Sequence, residues 1–182
     1  ILGNLDLNSK FSESLFGELN LSHSQYSYQL SDFANNSPLE AYYLRNSLKY
    51  TSAGYNFKWH ITPRHIADIG FKAVFSEVSP GEIAPIQNPT LINYQKLDNE
   101  NLLEWAVYAG DEFEVLPNFS VSAGLRYSWA GNIGQPEVYL YETDKPLDQA
   151  NVTDSLVFES NGISAKYAGF EPRMMLRFDI ND

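Results

Sequence analysis

The side chains capable of chemistry are few and poorly arranged for it. His23, His60 and His65 carry no metal-ligand spacing and read as wall or turn residues. Asp111, Glu112 and Glu114 form an acidic cluster of the kind that exchanges protons. They stand, however, at the end of an alternating stretch beside Leu116-Pro117-Asn118, where a solvated rim is expected. Serines are plentiful, yet no Gly-x-Ser-x-Gly elbow accompanies them and no His and Asp pairing is evident. Cysteine is absent, which removes disulfides, thiol nucleophiles and cysteine-ligated metals. The expectation is a protein that is not an enzyme, with no catalytic centre, metal or cofactor.

The elements that must position these groups alternate with period two. In residues 119–128, Phe119, Val121, Ala123, Leu125 and Tyr127 are apolar or aromatic, while Ser120, Ser122, Gly124, Arg126 and Ser128 are small or polar. Residues 41–61 read as one unusually long strand, in which Thr51, Ala53, Tyr55, Phe57, Trp59 and Ile61 alternate most cleanly with Ser52, Gly54, Asn56, Lys58 and His60. Further strands are predicted over 1–8, 16–30, 66–77 and 106–115, and over 167–180, where Met174, Leu176, Phe178 and Ile180 oppose Arg173, Met175, Arg177 and Asp179. Short turns at 9–15, 62–65 and 116–118 alternate with longer loops at 31–40, 78–101 and 131–166. The last of these has room for a small hairpin of 138–141 with 156–159. Short turns at one end and long loops at the other belong to outer-membrane barrels, whereas a Greek-key sandwich mixes its loop lengths at both ends. About seven principal strands in an all-β, antiparallel up-and-down meander are expected.

Composition narrows the function classes. The 182 residues, 43% of them hydrophobic, supply either a core or a lipid-facing band. Apolar runs are only a few residues long, far short of the roughly 18 needed for a spanning helix, so any membrane crossing is by strands. With 23 acidic against 12 basic residues the net charge is -11, which repels phosphate backbones and excludes nucleic acid as a partner. Ile1 does not begin a signal peptide.

Several segments resemble TonB-dependent outer-membrane receptors. AVYAGDEFEVLPNFSVSAGLRYS looks like a barrel strand pair of that family, the match being carried by Asp111, Glu112, Phe113, Gly124, Leu125, Arg126 and Tyr127. NSLKYTSAGYNFKWHITPRHIADIGFKAVFSEVSPG is similar to a family hairpin ending in Pro-Gly, here Val78, Pro80 and Gly81. GFEPRMMLRFDIN resembles the family's Glu-Pro-Arg strand, here Glu171, Pro172 and Arg173, of the kind seen in receptors from Bacteroidetes. The resemblance covers most of the chain from about Asn46 onward. It implies a bacterial outer-membrane location and a barrel of about 22 strands with a plug. No segment here looks like the plug or the box that contacts TonB, so residues 1–182 are expected to be one partial barrel domain.

The implied function is energised import of a scarce nutrient: an iron-siderophore, haem, cobalamin or a glycan. The implied partners are outer-membrane lipid, the plug, TonB, the nutrient itself and a surface lipoprotein. Ligand contacts are expected from Tyr94, Tyr139 and Tyr141 in the long loops. Arg45, Lys49, Lys58, Lys72, Arg126, Arg173 and Arg177 alternate with apolar neighbours, and several of them are expected to face a lumen. Trp59, Phe75, Trp105, Phe113, Tyr127, Trp129 and Phe178 are candidates for interfacial girdles. The alternation also fits a soluble surface or secreted β-domain that binds carbohydrate or protein, in which some of these aromatics would be core.

Overall fold

A computed structural model of the chain describes residues 2–33, 38–134, 137–146, 148–157 and 162–180. Among these residues there are ten strands: β1 (Leu2–Lys10), β2 (Leu15–Asp32), β3 (Tyr42–Thr62), β4 (His65–Pro85), β5 (Gln95–Lys96), β6 (Glu100–Leu116), β7 (Phe119–Ile133), β8 (Glu137–Tyr141), β9 (Val152–Val157) and β10 (Ile163–Phe178). The main sheet runs β1-β2-β3-β4-β6-β7-β10 with every neighbouring pair antiparallel, and β5 adds to the outer end of β4. The fold is all-β and a meander. Its direction reverses at each connection, so the turns after β1, β3 and β6 share one end. β8 and β9 form a separate two-stranded ribbon.

Strand limits differ from the expectation mainly at the loop end. β4 continues to Pro85 instead of stopping near Glu77, and the predicted loop 78–101 shrinks accordingly. Pro80 should have ended the ladder because it lacks a backbone donor. It falls in a register shift, Ser47 pairing with Ser79 and Arg45 with Glu82, and such a bulge leaves it outside the ladder. β7 runs to Ile133 and β10 starts at Ile163, so both ends of the predicted loop 131–166 are strand. The small hairpin exists, but its second strand is Val152–Val157 rather than 156–159. Residue 1 and residues 158–159 of the predicted strands lie outside the described residues.

The register carries one parity across the sheet. Leu19, Tyr55, Phe71, Val107, Tyr127 and Phe170 are successive cross-strand partners, and all share one face. The row beside it pairs Phe57 with Ile69, Ile69 with Ala109 and Ala109 with Leu125. On the other face Asn56, Gly70, Tyr108, Arg126 and Glu171 follow one another. Such consistency follows from the antiparallel pleat, in which directly paired residues point to the same side.

Among the described residues no second layer packs against the apolar face. Buried hydrophobic residues among those described are Ala41, Val74, Ala84 and Ala106, while Phe57, Ile69, Phe71, Leu125, Phe170 and Leu176 are exposed. The accessible surface is 13181 Å². A water-soluble monomer of this mass would expose about 8,900 Å². The excess is what a single sheet without a second layer presents.

Candidate functional site

The apolar face is banded. Phe113, Phe119 and Phe178 lie near the turn end, Phe119 and Phe178 being partners with ring centres 6.5 Å apart. At the loop end Trp105 stacks on Trp129 at 6.1 Å, and Phe75 pairs with Leu103. The ten-residue rise from Phe113 to Leu103 on β6 corresponds to about 26 Å of height for strands tilted about 40°. That is the thickness of the apolar belt of an outer-membrane barrel. Beyond the loop-side rim the same face turns polar: Lys49 binds Glu77 at 2.7 Å, and Arg45 donates to Gln29 at 2.9 Å. Lys49 and Arg45 therefore differ from the other cations, since Lys58, Lys72, Arg126, Arg173 and Arg177 lie on the polar face.

The acidic cluster is divided by the pleat. Glu112 and Glu114 face the polar side and border a turn-end hollow with Arg64 and Arg177. Asp111 faces the apolar side, where Ala67 and Ala123 are its cross-strand partners. One of its oxygens is 3.0 Å from Nδ1 of His65, and the other is buried without a partner. His65 in turn stacks on Phe113 at 4.2 Å. His23 bonds Thr51 at 2.9 Å and His60 meets Phe16 edge-on at 5.7 Å, so the three histidines remain separate. Among the described residues no group of three or more His, Asp or Glu side chains gathers in a metal-binding arrangement.

The polar face is networked and glycine-floored. Tyr108 donates to Asn56 at 3.2 Å, and Asn56 donates to Asp68 at 3.4 Å. Arg126 donates to Ser128 at 3.0 Å, Ser128 to Glu171 at 2.5 Å, and Arg173 pairs with Glu171 at 3.1 Å. A hollow of about 520 Å³ is lined by Lys72, Arg126, Arg173, Glu18, Asn56 and Tyr108, among others, over Gly54, Gly110 and Gly124. Nearer the loops this face becomes aromatic, because Tyr26 pairs with Leu48, Leu30 with Leu44 and Tyr50 with Ser24. The sequence signal for these tyrosines was the even parity of β2, obscured by its mixed polar composition.

The three tyrosines assigned to ligand contact are not brought onto one element. Tyr94 is exposed beside β5, with its phenol held above the ordinary value by loss of water and by the Glu82 carboxylate. Tyr139 and Tyr141 lie two apart on β8 of the separate ribbon, opposite Ser155 and Val152.

No protein-family profile matches the chain, and no curated protein matches it in sequence. Among solved structures it resembles one described as the copper transporter OprC, with a TM-score of 0.62 and 11% sequence identity. The match covers 100% of this chain and 29% of that one. The likeness shows the fold. This chain therefore has the architecture of part of a β-barrel wall and spans less than a third of that transporter's length.

Proposed function

We propose that the chain is part of the barrel wall of a TonB-dependent outer-membrane receptor that imports a scarce nutrient. The observation that carries this reading is the two-faced sheet: an unpartnered apolar band, bounded by aromatics at both rims, backed by a polar networked face. No helix among the described residues is long and apolar enough to cross a membrane, so the band crosses as strands. The likeness to a transporter wall and the receptor-like segments, including the Glu171-Pro172-Arg173 strand, support the same reading. The free edges of β1 and β10 take further strands of the barrel, since an open edge in lipid leaves backbone groups unpaired. A plug in the lumen, TonB, and a surface lipoprotein at the mouth are the proposed partners. The cargo is an iron-siderophore, haem, cobalamin or glycan, met first at Tyr94, Tyr139 and Tyr141.

The soluble alternative requires a second layer over the apolar face, and the described chain supplies none. Expression of the receptor containing this chain, followed by membrane fractionation and nutrient-uptake assays with and without TonB, tests the proposal. Recovery in folded form from the outer membrane with TonB-dependent uptake is expected. Recovery as a monomer from the aqueous fraction without detergent would exclude it.

A further inference from the structure

We infer that the polar face holds a binding step for an anionic solute, centred on Lys72, Arg126 and Arg173; this rests on the transporter reading above and names the class of its cargo. Three cations and a single carboxylate, Glu18, line the hollow of about 520 Å³. That excess is local, against a net charge of -11 for the whole chain. Of the nearby carboxylates, Glu171 pairs with Arg173 at 3.1 Å, lies 4.0 Å from Arg126 and accepts from Ser128, so it offsets part of those two charges, and Asp68 accepts from Asn56. Neither lines this hollow. Lys72 makes no ion pair among the described residues, so its charge is uncompensated by the wall.

The floor is made for close approach. Gly54, Gly110 and Gly124 carry no side chain above the backbone, and Lys72 lies over Gly54, whose absent Cβ would stand 3.8 Å from the lysine Cγ. A glycine floor in a strand lets a ligand reach the sheet itself. A second hollow of about 520 Å³ lies toward the loops; Lys72 and Arg126 line both, but in the second Glu104 and Glu171 balance them. Each is of the size that holds a small molecule, in the range of roughly 300–1,000 Å³. Arginine forks recognise carboxylate and phosphate oxygens in pairs, while a lysine acts as a point charge. The ligand chemistry is therefore a small solute bearing carboxylate or phosphate groups, held in the first hollow, where the lining cations outnumber the carboxylate.

The test titrates the whole receptor, folded in detergent micelles at low salt, with citrate and separately with pyrophosphate, reading heat of binding. Saturable binding of at least one probe is expected, with citrate and pyrophosphate distinguishing carboxylate from phosphate chemistry. Lys72→Gln, which removes no bond within the protein, should weaken it about tenfold, the size of one charge-assisted contact. Lys58→Gln makes the same charge change on the same face but outside the hollow, and should leave affinity unchanged. Absence of saturable heat with both probes, or equal loss in the two variants, overturns the inference. Binding of a hexaglutamate peptide instead of both small anions, lost in Lys72→Gln, also overturns it, in favour of an acidic segment seated in the lumen. Outer-membrane recovery is measured on the same cells. A folded outer-membrane protein that binds neither probe defeats the anion site alone, whereas absence from the outer membrane defeats the transporter reading.

Discussion

Tyr108 lies over Gly70. The two are direct partners in the β4–β6 register, and a side chain on Gly70 would collide with the tyrosine ring and stand 2.7 Å from the backbone oxygen of Tyr55. The ring thereby reaches across β4 to donate to Asn56 on β3. A glycine and an aromatic from neighbouring strands fill one space, and the pair pins the register of three strands.

Gly70→Ala should consequently destabilise the wall by about 2 kcal/mol, the order of an overpacked site plus a lost hydrogen bond. Tyr108→Phe, which loses only the hydrogen bond, should cost about 1 kcal/mol. Because the Tyr55 carbonyl cannot move aside, Gly70→Ala with Tyr108→Ala should recover only part of the loss. Urea unfolding in lipid vesicles measures all three.

Arginine scanning distinguishes the faces and the depth of the band. Leu125 lies midway between the aromatic rims and Val121 lies beside Phe113 at the turn end. Leu125→Arg should reduce stability by about 2 to 4 kcal/mol, Val121→Arg by less, and Ser122→Arg on the polar face least. Folded protein recovered from outer membranes gives the ranking, and equal tolerance at the three sites would refute the assignment of faces.

His65 makes Asp111 tolerable on the apolar side. His65→Ala leaves that carboxylate unpaired and should cost about 1 to 3 kcal/mol. Asp111→Ala removes the contact with His65 together with the oxygen that lacks a partner, leaves no carboxylate behind and should cost less. The double variant should be more stable than His65→Ala alone, a non-additivity visible in unfolding midpoints.

On the importer reading proposed above, excision of the β8–β9 ribbon should spare the barrel and impair uptake. The ribbon pairs only with itself, while β7 and β10 stay joined from Phe119 to Ile133 without it. Replacing Glu137–Val157 by a short Gly-Ser linker is expected to leave outer-membrane yield unchanged and to lower nutrient uptake. Tyr94→Ala, made separately, should lower uptake to a smaller extent with yield likewise unchanged.

Alternation of residue types was enough to find the seven principal strands and their two faces, and the order of short turns and long loops pointed to the meander, while the two-residue β5 lay inside a predicted loop. The pleat has period two, and each of Tyr55, Phe57, Trp59, Val121, Leu125 and Leu176 reports its side through its immediate neighbours alone. Turn residues such as Thr62-Pro63-Arg64-His65 marked the reversals for the same local reason. Only tertiary structure decided where β4 ends, because the bulge that bypasses Pro80 depends on its pairing with β3. Only register placed Asp111 beside His65, Gly70 beneath Tyr108, and Lys72, Arg126 and Arg173 around one hollow. Those residues come from β4, β6, β7 and β10, and alternation along one strand carries no information about which row of the next it meets. Sequence fixes a side chain's face through local geometry, while its neighbours across the sheet are set by hydrogen-bond register, a property of pairs of strands.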